Sequence, residues 1–184
     1  MTIYNTGKVK NLGNPMILGL GEIIRYNNRP KIKHENVAEH SFYVITTVLR
    51  VVKMYNLSDK IKNKALEFAA VHDLGECFLG DVPYDTKVNN PALTEVLEQA
   101  EVIALEQNMP EFADAYKQFL KEEKEGTVAY LVTKLADTVS VLQYSNRELE
   151  LGNQTPQMKS INTGSQERVA KLIERLEAAI EEAK

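Results

Sequence analysis

Along this chain apolar residues return every three or four positions, the spacing that buries one face of a helix, and no stretch alternates as a strand does. In "NVAEHSFYVITTVLRVVKMY" one stripe joins Ala38, Phe42, Ile45, Leu49 and Val52, and a second joins Val37, Val44, Val48 and Val51. Two stripes predict a helix buried on most sides. "NLSD" (56–59) then makes a turn with Ser58 as N-cap, and "KIKNKALEFAAVH" forms the next helix, with Ile61, Ala65, Phe68 and Ala69 inward and His72 at its end. Gly75, Gly80, Pro83 and Pro91 crowd the segment that follows, so 73–91 reads as a loop with at most a short helical turn. Helical patterns resume in "ALTEVLEQAEVIALEQN", "PEFADAYKQFLKEE" and "TVAYLVTKLADTVSVLQYSNRELELG", and, after the polar break "GNQTPQMKS", in "QERVAKLIERLEAAIEEAK". Nearer the start, "NPMILGLGEIIRYNNRP" predicts a short helix ending near Tyr26, because Asn27, Asn28 and Pro30 follow it. The whole is an all-α bundle of six or seven helices in one domain, 1–184, without an internal repeat.

Composition narrows what such a bundle does. At 184 residues, 43% apolar and 26% charged, the chain has enough apolar material for a substantial core. Its formal charge of −4 lacks the basic excess that a phosphate backbone attracts, which argues against a nucleic acid polymer as partner but not against a small ligand. A single cysteine, Cys77, cannot close an intrachain disulfide, and its setting is that of a small apolar residue, not a nucleophile. No N-terminal export pattern and no membrane-spanning run is evident, so the expected compartment is the cytoplasm.

Polar residues interrupt two apolar helical faces and end a third helix. His40 sits within "ENVAEHS", where an unpaired imidazole pays for desolvation, and Asp137 interrupts the stripe Leu131, Val132, Leu135, Val139, Leu142. His72 and Asp73 stand where a helix meets the glycine-rich loop. A buried carboxylate needs a cation or several donors. Convergence of these groups on one divalent ion satisfies all of them at once through nitrogen and oxygen ligands; three separately hydrogen-bonded polar residues account for the same pattern equally well.

The order "EHS", then "HDLGE" with "GD" shortly after it, then "KLAD" on a late helix resembles the HD-domain metal-dependent phosphohydrolases from Gly19 to about Gly152. "IIRYNNRPKIKHENVAEHS", with fifteen residues from Arg25 to His40, and "GDVPYDTK" are similar to the signatures of the bacterial 5′-deoxynucleotidase group. The resemblance implies His40, His72, Asp73 and Asp137 as ligands to one divalent transition metal, with Co²⁺ or Mn²⁺ favoured and Mg²⁺, Zn²⁺, Ni²⁺ or Fe²⁺ as alternatives. It further implies Glu76 as the group that orients or deprotonates the attacking water, Arg25 as a phosphate clamp, and Tyr26, Asp81, Val82, Pro83, Tyr84 and Lys87 as substrate contacts. The aromatic after the arginine is commonly tryptophan in that group; Tyr26 leaves more room beside the ribose 2′ position.

The implied activity is removal of the 5′-phosphate from deoxynucleoside 5′-monophosphates. A deoxynucleoside triphosphate triphosphohydrolase is the alternative enzyme, for which Lys31, Lys33 and Lys87 either meet a longer phosphate chain or solvate a surface. A non-catalytic nucleotide- or partner-binding helical module is the alternative of another class. The resemblance also implies a homodimer. The C-terminal helix carries no motif; its stripe Val169, Leu172, Ile173, Leu176, Ile180 serves either its own core or a dimer surface, and His34 is expected at the surface.

Overall fold

The computed structural model describes residues 13–183, and among them α-helices account for nearly all of the regular structure. After a 3-10 turn at Pro15–Gly21 come α1 (Val37–Met54), α2 (Asp59–Val71), the short α3 (Glu76–Leu79) and α4 (Tyr84–Val88), α5 (Pro91–Asn108), α6 (Pro110–Glu125), α7 (Val128–Glu150) and α8 (Pro156–Glu182). The expected 1–184 span includes residues 1–12 and 184, which lie outside the described residues.

Helix starts follow local chemistry. Asn36 opens α1 with a capping box, its side chain accepting from Glu39 N while the Glu39 carboxylate accepts from Asn36 N. Ser58, Thr127 and Thr155 cap α2, α7 and α8 in turn, each accepting from the backbone N–H three residues on. Gly126, in the left-handed region at φ 67°, stops α6 and lets α7 start two residues later. α7 is the central rod: α1, α2, α6 and α8 all pack on it. Val37, Val44 and Val48 of α1, Ala65 and Phe68 of α2, Leu131 and Val132 of α7 and Leu176 of α8 are fully or almost fully enclosed. Truncating a side chain such as Phe68 to alanine costs about 3–5 kcal/mol in such a core.

Five expectations change. The described residues hold eight α-helices, not six or seven, because the 73–91 segment folds into α3 and α4 instead of a loop with one turn. The N-terminal helix is a 3-10 turn that stops at Gly21, before Tyr26. Beyond it an antiparallel bridge pairs Ile24 with Asn36, so 25–35 forms a loop. α1 buries one stripe only: Val37, Val44, Val48, Val51 and Val52 face the core, while Phe42 is 62% and Leu49 46% exposed. Apolar residues outnumbered the positions its neighbours cover. α8 begins at Pro156, since Thr155 and Pro156 supply a cap and an N1 residue within the supposed polar break. Finally, the C-terminal helix is more than core surface: Leu172 and Leu176 do pack inward, but another of its faces lines the cleft described next.

Candidate active site

His72 and Asp73 follow the last turn of α2 directly. His72 N still donates to Phe68 O at 2.9 Å, and its Nδ1–H donates to Ala69 O at 2.9 Å, which leaves Nε2 with a lone pair directed away from the helix. His40 comes from the buried face of α1, with Nδ1 3.1 Å from Ser140 Oγ of α7. Asp137 is one turn before Ser140 on α7. Thr133 Oγ1 donates to Ala65 O at 3.2 Å, tying α7 to α2 near this crossing.

Ligating atoms of His40, His72 and Asp73 lie within 4.8 Å of one another. Asp73 Oδ2 is 3.2 Å from His72 Nε2 and 3.6 Å from His40 Nε2, and Asp137 Oδ1 is 3.2 Å from His40 Nε2. The other Asp137 oxygen accepts from Lys134 Nζ at 2.8 Å. Both imidazole Nε2 atoms are buried without a hydrogen bond of acceptable geometry, as is Glu76 Oε2. Groups of this kind, two nitrogens and two carboxylates converging with orphaned lone pairs, fit a divalent transition metal.

The electrostatics agree with that fit. Burial, then the Arg25 charge, lowers His40 to about 4, which keeps its ring neutral as a ligand must be. Burial also opposes the charge on His72, but Asp73 prevails and holds it above the ordinary histidine value. For Asp73, burial opposes ionisation, yet His72, His40 and Arg25 hold the carboxyl well below the usual range. Lys134 and His40 do the same for Asp137 against its burial. Glu76 goes the other way, pushed up to about 10 by burial and then by the charges of Asp73 and Asp81. A cation beside these carboxylates relieves that crowding.

Around this centre the expected residues fall into place unequally. Arg25 Nη1 donates to Asp73 Oδ2 at 3.2 Å, and its Nε lies 3.5 Å from Glu35 Oε2. Tyr26 has a left-handed backbone at φ 55°, stacks on Tyr144 with ring centroids 4.6 Å apart, and donates its N–H to Asp81 Oδ2 at 3.2 Å. Its hydroxyl is buried and unpartnered. Val82, Pro83, Tyr84 and Lys87 line a cleft of 940 Å³ together with Arg25, Tyr26, Asp73, Glu76, Asp81 and Asp137. A second cavity of 700 Å³ adjoins it, sharing Asp73, Glu76, Lys134 and Asp137 with the first. Lys31 instead donates to Tyr26 O at 2.9 Å, Lys33 is exposed, and neither lines the cleft. His34 is exposed as expected, and Cys77 is half-buried against the core.

Gly75 of "HDLGE" has a steric reason. A Cβ there would meet Glu101 Cγ of α5 at 2.5 Å, and Glu101 is itself bonded to Tyr116 Oη. Gly80 turns the chain at φ 78° toward Asp81.

Several contributors escape sequence reading. Glu35, buried at 5% exposure, braces Arg25; Glu148, wholly buried, accepts from Ile32 N at 2.8 Å, Lys33 N at 2.7 Å and Asn153 Nδ2 at 2.7 Å, clamping the 25–35 loop to α7. Arg168, Lys171 and Arg175 of α8 and Lys134 of α7 line the same cleft. Glu35 between His34 and Asn36, and Glu148 between Arg147 and Leu149, carry no signal of burial in their polar stretches; "KLAD" alone hinted at Lys134.

Known proteins are similar to this chain in sequence and in fold. A 5′-deoxynucleotidase of Pasteurella multocida is 30% identical over 146 residues, covering 72% of this chain and 71% of its own. A 5′-deoxynucleotidase of Photorhabdus laumondii is 26% identical over 129 residues, so the chain spans 66% of that relative's length. In fold, the chain is similar to a cyanophage S-2L HD phosphohydrolase solved with dA and one catalytic Zn²⁺, with a TM-score of 0.70 at 21% identity over 93% of this chain and 95% of that one. The family model described as 5′-deoxynucleotidase YfbR-like matches residues 15–180, from the first turn to the last helix, and the chain belongs to that family, built on the HD-domain fold.

Proposed function

We propose that this protein is a metal-dependent phosphohydrolase that removes the 5′-phosphate from deoxynucleoside 5′-monophosphates, yielding deoxynucleoside and phosphate. The observation that carries the reading is the meeting of His40, His72 and Asp73 within 4.8 Å beside buried Glu76, where Asp73, Glu76 and Arg25 line a cleft large enough for a nucleotide. The family's name and the dA and zinc of the cyanophage neighbour point to the same substrate class and to a divalent ion.

His40, His72, Asp73 and Asp137 would hold the ion, with Ser140 and Ala69 O fixing the two rings from behind. When bound, such an ion supplies Lewis acidity, offsetting charge on phosphoryl oxygens and making water a competent nucleophile near neutral pH. Glu76, buried beside these ligands, would orient the attacking water and, as the carboxylate, take its proton. Arg25, already aimed at Asp73, offers its planar fork to the phosphate. Asp81 uses one oxygen on Tyr26 N and keeps the other for a sugar hydroxyl, and Lys87 contributes positive charge along the cleft wall. A homodimer and a cytoplasmic setting complete the reading, and no described helix is long and apolar enough to cross a membrane.

The test is a panel of deoxy- and ribonucleoside mono-, di- and triphosphates with Co²⁺, Mn²⁺, Zn²⁺ and Mg²⁺, with nucleoside and phosphate both quantified. Equimolar deoxynucleoside and orthophosphate from monophosphates, dependent on the ion, is the expected result; no hydrolysis with any ion would favour a non-catalytic module.

A further inference from the structure

One face of α1 is left uncovered by its neighbours. The 3-10 turn, α2 and α7 pack on its other sides. Phe42, Tyr43 and Leu49 stand in solvent at 62%, 45% and 46% exposure, the two rings leaning on each other with centroids 6.5 Å apart. An apolar patch of this kind, rimmed by charge, marks a surface that another surface covers. Glu39, Arg50 and Lys53 supply the rim; all three are exposed, and none has an ion-pair partner among the described residues. One Glu39 oxygen caps the helix start, which leaves the other unengaged. Thr46 lies at the middle of this face. At about 100° per residue, Phe42 and Leu49 fall on one side of it, Tyr43 and Arg50 on the other, and Glu39 and Lys53 near its midline. Along the axis the members of each pair stand at matching distances from Thr46: four residues before and three after, three before and four after, and seven on each side.

We infer that this face is where two copies of the chain associate, their α1 helices antiparallel across a two-fold axis at Thr46. A two-fold there exchanges what lies before Thr46 with what lies after it and keeps each flank on its own side. Phe42 of one copy therefore meets Leu49 of the other, Tyr43 meets Arg50 ring to guanidinium, and Glu39 faces Lys53, every contact made twice. The face complements itself only in this reversed direction; in parallel register each charge meets its like. A second copy also fits it better than a lipid surface, which would have to take in the Glu39 carboxylate. The inference stands independently of the chemistry proposed above. It gives the homodimer of that reading a surface on α1 and not on the C-terminal stripe, whose Leu172 and Leu176 already lie in the core.

The experiment measures mass by sedimentation velocity over a concentration series for the full chain, Leu49→Glu, Lys53→Glu and Lys53→Glu/Glu39→Gln, with circular dichroism on each. The wild type should form a dimer. Leu49→Glu sets a carboxylate against the Phe42 ring of each copy and should raise the dissociation constant by about 10²-fold or more with the helical spectrum unchanged. Lys53→Glu sets like charges face to face and should weaken the dimer about 10-fold, and Glu39→Gln, which keeps the helix cap, should restore most of that loss. Thr46→Cys in a Cys77→Ala background gives a readout that no folding defect imitates. A side chain on the axis meets its own copy within disulfide reach, so mild oxidation should link the chains in pairs. Met54→Cys, exposed on the same helix but about 24 Å from its copy at 1.5 Å per residue, should not link. A wild type that is monomeric throughout, a dimer untouched by Leu49→Glu, or a Thr46→Cys protein that stays unlinked overturns the surface; none of these outcomes bears on hydrolysis, which the nucleotide panel tests separately.

Discussion

Around His40, His72 and Asp73 each ring or carboxylate is held by a second contact, from Ser140, Ala69 O and Arg25, and all of it is enclosed by α1, α2 and α7. Along α8, Lys171 and Arg175 reach the same cleft half free, with neither a hydrogen bond nor an ion pair among the described residues. On the function proposed above, the two regions answer to different demands. Bond-making chemistry needs atoms fixed to within a fraction of an ångström, which only a packed floor with braced side chains provides. Attracting an anionic substrate needs only charge within reach, and a solvated rim supplies it while tolerating movement. A substitution in the floor should therefore change whether the reaction occurs; one at the rim should change how readily the anion is captured.

The largest break of this contrast is Glu76→Gln. The carboxyl is 5% exposed with Oε2 unpartnered, so the isosteric amide fits the space but cannot take a proton. Turnover should fall about 10²–10⁴-fold on every substrate alike, with metal binding retained in a direct titration. Near-normal turnover would remove Glu76 from the floor's chemistry.

The brace itself is open to a pH test. Glu35 is pushed up to about 7 by burial, against the pull of Arg25. A carboxyl raised in the folded state stabilises below its ordinary pKa and loses that contribution as pH rises through the folded value, here from about 4.5 to about 7. Between pH 5 and 8 the wild type should lose stability relative to Glu35→Gln by on the order of 2 kcal/mol, read from denaturant melts at both pH values. Parallel melts would show that Glu35 is not a strained brace.

Smallest is the effect at Tyr26. Its ring is set by the Tyr144 stack, so Tyr26→Trp should keep the stack and fill more of the cleft beside the sugar. The deoxy-to-ribo ratio of kcat/KM should rise by the ~1–3 kcal/mol that one small filled volume provides. A ratio unmoved would transfer sugar reading to Asp81.

The floor was legible in the chain because its residues are out of character where they stand. His40 and Asp137 interrupt apolar stripes, and "HDLGE" joins a buried helix end to a glycine that cannot carry a side chain against Glu101. The rim was not. Arg168, Lys171 and Arg175 alternate with Glu167 and Glu174, the composition of any solvated helix, and only the packing of α8 on α7 turns one face over the cleft. The exposed Phe42 and Leu49 stripe of α1 misleads for the converse reason: periodicity reports apolar residues, not the neighbours that cover them. Glu148 and Glu35 owe their roles to the path of the 25–35 loop, a tertiary fact with no local pattern.

The central claim is that His40, His72, Asp73 and Asp137 hold one divalent ion on which hydrolysis depends. Equilibrium dialysis of the full chain and of His72→Ala, each followed by elemental analysis, circular dichroism and a nucleotidase assay, tests it most directly. The account predicts one ion per chain in the wild type, and in the variant the loss of both ion and turnover with the helical spectrum retained; a His72→Ala protein that keeps stoichiometric metal and full activity would contradict it.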